Sequence, residues 1–446
     1  MTTQLPPSKK KVALIHLGCA KNLVDSEVML GHLHNAQYGF VRSPADADIV
    51  IVNTCGFIQP ARDEAEDVLG KLARLKTRRP EKRFAVTGCY VAKERDHLKR
   101  TFPWVDAWLG VGSFDRIVEA VEGKPVRERG QTFLYDHRSP RLISTPPGWA
   151  YLKVSEGCSH RCSFCSIPRI KGPYRSRSLA SIVEEARAMA VRGFREIDLI
   201  SQDTTFYGRD RGLKDGLVRL IRRLIRLEGI EWVRFLYGYP EEVTDGLLEV
   251  LGEPKVCPYL DIPFQHADPG VVKKMKRGLD GERALKLINK IRKRVPDIAL
   301  RTSLIVGFPG EGAKEFLVLK QFVREARFNH LGVFTYSPEP GTAAKALTDP
   351  LAQEEKDRRR DEIMEMQAGI SMERNREFIG RTMDVLLEGP LKKGGGWAGR
   401  TRYQAPEVDG IVMIEDGGTG LNGPKPILKV EITDAEIYDL RGRLIP

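Results

Sequence analysis

The sequence predicts an α/β protein in three parts. These are an N-terminal open parallel α/β sheet, a central partial (β/α)6 barrel, and a small C-terminal antiparallel β-barrel of the OB type. Three observations predict this. Short Val/Ile-rich runs alternate with amphipathic stretches up to about residue 378, the grammar of parallel strands joined by helices. A Pro-rich linker interrupts that pattern once. Beyond residue 379 helical periodicity is absent, and Gly-rich turns separate β-branched pieces. The expected boundaries are 10–125, a linker at 126–148, then 149–378 and 379–446.

In the first part, VALIHL (Val12 to Leu17), DIVIVN (Asp48 to Asn53) and RFAVTG (Arg83 to Gly88) read as buried strands. Asp25 to Leu33 and Ala61 to Leu75 read as the helices between them. Ser139–Pro140 and Thr145–Pro146–Pro147–Gly148 mark the linker. In the second part, strands are expected at Ala150 to Val154, Glu196 to Ile200, Trp232 to Leu236, Tyr259 to Ile262, Ala299 to Val306 and His330 to Phe334. Helices are expected at Ile182 to Val191, Gly216 to Leu227 and Gly281 to Arg294, with a charged exit helix at Gln353 to Phe378. Six such units suggest a curved parallel sheet with its site at the strand C-terminal ends. In the third part, MDVLLEG and ILKVEITDA read as strands, and Gly394–Gly396 and Gly417–Gly418 as turns.

The chain has 446 residues, enough for two to four domains, with 41% hydrophobic and 30% charged residues. No apolar run reaches the roughly 18 residues that would suggest a membrane span. The N-terminus lacks the apolar stretch of a secretory signal, so a cytoplasmic protein is expected. The net charge of +12 permits an RNA or ribosomal partner without establishing one. Runs such as Lys9 to Lys11, Arg78–Arg79, Lys273–Lys274 and Arg358 to Arg360 read as solvated faces.

Cysteine carries the chemistry. Cys158, Cys162 and Cys165 form C-x-x-x-C-x-x-C directly after a predicted strand. Such a loop supplies three thiolates to one metal centre and leaves a fourth position open. Structural zinc instead favours two paired ligand sets, and no second C-x-x-C or H-x-x-x-H pair follows. Cys19, Cys55 and Cys89 each sit just beyond a predicted strand and before a predicted helix. Strand ends of a parallel sheet share one edge, so these thiols can converge. Helix N-termini there are expected to favour thiolate over thiol. Iron–sulfur ligation is the reading that uses all three. Cys257 lacks a partner motif and reads as a packed small hydrophobe. His16, His160, His266 and His330 lie near strand ends and are expected to pack or hydrogen-bond, not to bind metal.

The C-x-x-x-C-x-x-C stretch in its setting resembles the radical S-adenosylmethionine (SAM) superfamily. SLIVGFPGE (Ser303 to Glu311) is similar to that superfamily's adenosine-lining strand, and LISQD (Leu199 to Asp203) to its amino-group contact. The resemblance implies a 4Fe–4S cluster on Cys158, Cys162 and Cys165, with SAM on the open iron. It implies SAM contacts at Gln202, Asp203, Gln265, Arg301, Gly307 and Glu311.

Nearly the whole chain resembles the methylthiotransferases. The resemblance implies a second 4Fe–4S cluster on Cys19, Cys55 and Cys89, and a last domain of the TRAM type. It also implies an electron donor, a sulfur source and no membrane. One branch of that family modifies an adenosine derivative in transfer RNA. The other modifies an aspartate of ribosomal protein S-twelve, presented free or in the small ribosomal subunit. HLGCAKNLVDSEVMLGHL, YLKVSEGCSHRCSFCSIP, SQDTTFYG, YLDIPFQHA, FTYSPEPGT and GRTRYQAPEVDG are similar to the second branch. The implied reaction uses two SAM molecules. One gives a methyl group to a sulfur held at the first cysteine set. The other yields a 5′-deoxyadenosyl radical, which takes a β-hydrogen before the carbon receives the methylthio group. Charge agrees with a protein substrate. Gly380 to Pro446 carries nine Lys/Arg against ten Asp/Glu, a net of −1, whereas an RNA-gripping barrel would be basic. The rivals are a transfer RNA methylthiotransferase and a non-enzymatic RNA-binding iron–sulfur protein.

Overall fold

The computed structural model describes residues 10–348, 351–391, 395–415 and 427–445. Residues 1–9, Gly394 and the Gly417–Gly418 pair lie outside the described residues.

The N-terminal part is a five-stranded parallel sheet. Its elements are β1 (Lys11–Leu17), α1 (Ala20–Asn35), β2 (Gly39–Phe40), β3 (Ile49–Thr54), α2 (Gln59–Arg78), β4 (Arg83–Gly88), α3 (Cys89–Thr101), β5 (Ala107–Leu109) and α4 (Ile117–Val121). The strand order is β2-β1-β3-β4-β5. Every residue of β3 is buried, as expected for a central parallel strand with helices on both faces. Val50, Val52 and Phe84 pack under α2 and α3, while Ile49, Ile51 and Ala85 pack under α1 and α4. The sequence pattern missed the edge strands β2 and β5, which are too short to show a period.

The central part follows with β6 (Trp149–Lys153), β7 (Ser155–Glu156), α5 (Ile167–Lys171), β8 (Arg175–Ser176), α6 (Leu179–Val191), β9 (Glu196–Ile200) and α7 (Gly216–Leu224). It continues through β10 (Trp232–Phe235), α8 (Asp245–Val250), β11 (Tyr259–Asp261), α9 (Pro269–Lys274) and α10 (Gly281–Arg294). It closes with β12 (Ala299–Val306), α11 (Ala313–Ala326), β13 (His330–Thr335) and α12 (Gln353–Arg376). Six parallel strands form two ladders, β6-β9-β10 and β11-β12-β13. Only scattered bonds bridge β10 to β11, such as Gly238 N–H to Asp261 O at 2.8 Å. The barrel is therefore partial. Side chains on the outer strand faces, including Leu152, Leu199, Val233 and Leu260, form its largest core against the helices.

The C-terminal part is a closed barrel of β14 (Thr382–Pro390), β15 (Trp397–Arg400), β16 (Val412–Ile414), β17 (Ile427–Ala435) and β18 (Leu440–Leu444). All pairings are antiparallel except β16–β18, which is parallel. The strand direction reverses twice between those two, once into β17 and once out of it.

The three parts share one apolar cluster. Val28 and Ile51 of the sheet, Tyr151 and Trp232 of the partial barrel, and Leu386 and Ala405 of the last part belong to it. The end of β15 and the segment between it and β16 seat against the N-terminal halves of the barrel strands. Arg400 pairs with Glu196 at 2.8 Å, Tyr151 donates to Glu407 at 2.9 Å, and Tyr259 donates to Asp409 at 2.7 Å. This plug leaves the C-terminal ends of the strands to the cysteines.

Candidate active site

Strand register brings Cys19, Cys55 and Cys89 to one edge. Leu17 pairs with Thr54, and Thr54 pairs with Gly88. Cys55 and Cys89 each follow directly, and Cys19 follows after Gly18. In the order β2-β1-β3-β4-β5, the chain leaves β1 in one direction and returns through β3 to the other side. That switch point is where open α/β sheets bind ligands. Two glycines permit the approach. A Cβ on Gly56 would lie 2.6 Å from Tyr90 Cα, and one on Gly88 would lie 2.4 Å from Thr54 O. Gly88 also holds φ +105, a region that suits glycine. Below the thiols, Asn53 Nδ2 donates to Ser26 Oγ at 2.8 Å and to Asn22 O at 2.9 Å. Cys89 Sγ lies 3.6 Å from Asn22 Oδ1.

All three thiols are free, and each lies within electrostatic reach of another. The expected preference for thiolate does not hold at two of them. Burial pushes the Cys55 thiol up and the Cys89 thiol up to about 12. Desolvation of a buried sulfur outweighs the adjacent helix ends.

Cys158, Cys162 and Cys165 occupy a loop that stands on the two-stranded ribbon β7–β8. Gly157 turns at φ +78, and a Cβ there would lie 2.1 Å from Pro173 O. Cys158 N–H donates to Gly172 O at 3.1 Å, and Ser163 N–H donates to Met275 O at 3.0 Å. Arg277 Nη1 donates to Cys162 Sγ at 3.6 Å. The Tyr239 ring lies between the Arg277 guanidinium at 3.9 Å and the His160 ring at 3.7 Å, stacked at 6°. His160 Nε2 in turn meets Asp203 Oδ2 at 2.6 Å. Burial pushes Cys158 up to about 11 and Cys165 up to about 12.

The expected SAM contacts divide into two groups. Gln202, Asp203 and Gln265 follow the C-terminal ends of β9 and β11, on the cysteine side. Gln202 Nε2 reaches Glu156 at 3.4 Å, while its buried Oε1 lacks a partner among the described residues. Gln265, at φ +72, extends the β11–β12 pairing through Ser303 O and Ile305 N–H. Arg301, Gly307 and Glu311 have close neighbours of their own. Arg301 is the third residue of β12 and pairs with Asp409 of the plug at 2.7 Å. A Cβ on Gly307 would lie 2.4 Å from Lys356 Cγ of α12. Glu311 is buried between His266 at 2.9 Å and Arg359 at 2.7 Å. Salt bridges thus engage the side chains of Arg301 and Glu311, and Gly307 lies against α12.

The histidines make hydrogen bonds. His16 meets Gly18 O at 3.1 Å, His330 meets Tyr403 O at 2.9 Å, and His160 and His266 have the partners given above. Cys257 is buried in the shared apolar cluster.

Sequence reasoning missed what lies between the two cysteine sets. Lys153, on β6, is fully buried and pairs with both Asp25 of α1 and Glu156. Lys171, at the end of α5, pairs with Asp25 at 3.1 Å and Glu156 at 3.6 Å, and its charge reaches Cys89. Two cations and two carboxylates thus alternate from the first set to Glu156, two residues before Cys158. The Tyr237–Gly238–Tyr239 segment makes a second link. Lys21 Nζ, two residues after Cys19, sits 3.1 Å from the Tyr237 ring centroid, and Tyr239 flanks Cys162. The sequence signal was a charged residue among apolar ones, Lys153 in AYLKV and Asp25 in NLVDSEV. A third tie is Glu339, which follows β13 and binds Arg62 of α2 at 2.7 Å and Lys93 of α3. Both cations also donate to Gly56 O, beside Cys55.

Among the described residues, no three Cys, His, Asp or Glu side chains converge tightly enough to hold a single metal ion. A cubane cluster is larger than an ion and spreads its ligands over separate corners. Three free thiols on one loop are a soft donor set suited to iron–sulfur ligation. Burial favours the neutral form of Cys158 and Cys165 until a cationic centre displaces their protons. The orphaned Gln202 Oε1 adds an acceptor for an amino group. The residues at Cys158, Cys162 and Cys165 therefore fit a 4Fe–4S cluster and SAM.

Residues 11–110 match the Uncharacterized protein family UPF0004, residues 152–323 the Radical SAM superfamily, and residues 379–445 the TRAM domain. The chain is similar to the ribosomal protein uS12 methylthiotransferases RimO of several bacteria. It is 41% identical to that of Koribacter versatilis over 100% of this chain and 98% of the relative. It is 43% identical to that of Aquifex aeolicus over 97% of each chain. It is 44% identical to that of an Anaeromyxobacter species over 98% of this chain and 93% of the relative. Among solved structures, the radical SAM methyltransferase TsrM from Kitasatospora setae shares the fold. Its TM-score is 0.53 at 15% identity, covering 72% of each chain. Full-length likeness to these relatives, with the matched family models, shows that the chain belongs to the RimO family of radical SAM methylthiotransferases.

Proposed function

We propose that the chain methylthiolates the β-carbon of an aspartate in ribosomal protein uS12. The observation that carries this reading is the position of two three-cysteine sets at facing strand ends, joined by Asp25, Lys153, Glu156 and Lys171. When bound, the groups they hold would supply a SAM-derived radical at Cys158, Cys162 and Cys165, and a sulfur site on a second 4Fe–4S cluster at Cys19, Cys55 and Cys89.

The chain's own residues position and exclude. Arg277 hydrogen-bonds Cys162, and the stacked Tyr239 and His160 close one wall of the cofactor side. Gln202 Oε1 offers an acceptor, and Asp203 holds His160 in place. The buried charge quartet holds the two sets in a fixed relation, which a short-lived carbon radical requires. The apolar cluster shared by the three parts keeps water from that region. A ribosomal substrate places the reaction in the cytoplasm and calls for an electron donor and a sulfur source. No helix among the described residues is long and apolar enough to cross a membrane.

The test is anaerobic reconstitution followed by incubation with SAM, a reductant and either uS12 or transfer RNA. Methylthiolated uS12 is expected. Methylthio-adenosine in the RNA with uS12 unmodified would sink the reading.

A further inference from the structure

A β-carbon that reacts between the two cysteine sets has its carboxylate one bond away. Whatever grips that carboxylate must therefore lie in the same gap. The chain offers several cations there, and nearly all are committed. Lys153 and Lys171 are paired with Asp25 and Glu156. Arg277 is held by Cys162 Sγ and Pro263 O, and Arg301 by Asp409. Arg62 and Lys93 are both paired with Glu339.

Lys21 differs from all of these. It lies in the first turn of α1, two residues from Cys19, and is half-buried. Its Nζ rests 3.1 Å from the Tyr237 ring centroid, and among the described residues no carboxylate stands within ion-pair distance of it. The nearest acidic group, Asp261, acts on it only at longer range and accepts a hydrogen bond from Tyr237 N–H at 3.0 Å. Its close company is the Tyr237 side chain and the Cys19 thiol, so the ammonium has no carboxylate partner of its own among the described residues. An incoming carboxylate would supply one.

We propose that Lys21, set by Tyr237, is the residue that binds the side-chain carboxylate of the substrate aspartate and so selects an acidic residue. This rests on the methylthiotransferase reading above. It makes Lys21 a specificity residue, distinct from the groups that hold either cluster.

The test uses the full-length, anaerobically reconstituted holoenzyme, with uS12 and with uS12 whose target aspartate is replaced by asparagine. The wild type is expected to prefer the aspartate form on the order of 100-fold in kcat/KM, mainly through KM. Lys21→Met is expected to bind the same iron, show the same cluster absorption, and lose the preference. Lys21→Arg, which keeps the charge, is expected to retain most of it. A Lys21→Met protein that keeps the aspartate preference, or that loses activity only in step with lost iron, would overturn the assignment. A wild-type holoenzyme that leaves uS12 unmodified would instead overturn the methylthiotransferase reading, and the role of Lys21 with it.

Discussion

Lys153 on β6 and Asp25 on α1, 128 residues apart in the chain, form an ion pair buried where the partial barrel meets the N-terminal sheet. Lys153 also pairs with Glu156, and Lys171 closes the quartet on the other side. A buried pair contributes little net stability relative to apolar residues of the same shape. Removing one partner, however, leaves a stranded charge. Asp25→Ala should therefore destabilise the protein by roughly 3–5 kcal/mol. The measurement is denaturant unfolding of the reconstituted protein. An unchanged midpoint would mean that the quartet does not hold the two parts together.

The two cysteine sets should fail separately. The reconstituted wild type should carry about eight irons per chain if both sites hold 4Fe–4S clusters. Cys158→Ala should fall to about four and lose SAM cleavage. Cys89→Ala should also fall to about four, keep SAM cleavage, and yield no methylthiolated product. Iron analysis and chromatography of 5′-deoxyadenosine read both. Zinc in place of iron, or four irons in the wild type, would remove the two-cluster reading.

Gly56 tests the geometry of the first set without touching a thiol. A Cβ there would meet Tyr90 Cα at 2.6 Å and Cys89 C at 3.0 Å, both backbone atoms that cannot swing aside. Gly56→Ala should lower bound iron toward the one-cluster level while the second set stays loaded. Full iron loading would show that the strand ends have slack.

Glu339 gives a pH signature. Burial opposes its charge, but hydrogen bonds from Arg62 and Lys93 win and hold its carboxyl below the ordinary range. A carboxyl depressed in the folded state contributes stability that is full above its unfolded value, about 4.3. That contribution is lost as the pH falls through the lower folded value. The wild type should thus lose stability on acidification in that window. Glu339→Gln should lack this component and be less stable at neutral pH. Parallel slopes in thermal melts of the two proteins would contradict the assignment.

Much of the fold was legible because parallel strands buried on both faces read as continuous Val/Ile runs. RFAVTG, Glu196 to Ile200 and Ala299 to Val306 match β4, β9 and β12 residue for residue. The cysteines were legible because their place after each strand repeats. The gap between β10 and β11 was not, since pairing leaves no mark on either strand's own sequence. Nor were the partners of Lys153 or Arg301, which lie 128 and 108 residues away. Arg301 shows the consequence. The family resemblance implies a cofactor contact there, and only the folded plug reveals Asp409 as its ion-pair partner.

Mass spectrometry of uS12 from cells with and without this chain tests the central claim most directly. The account predicts that the mass increment of one methylthio group, on an aspartate, is present with the chain, absent without it, and restored by the wild type but not by Cys158→Ala. An unchanged uS12 mass in cells lacking the chain, with methylthio-adenosine lost from transfer RNA instead, would contradict it.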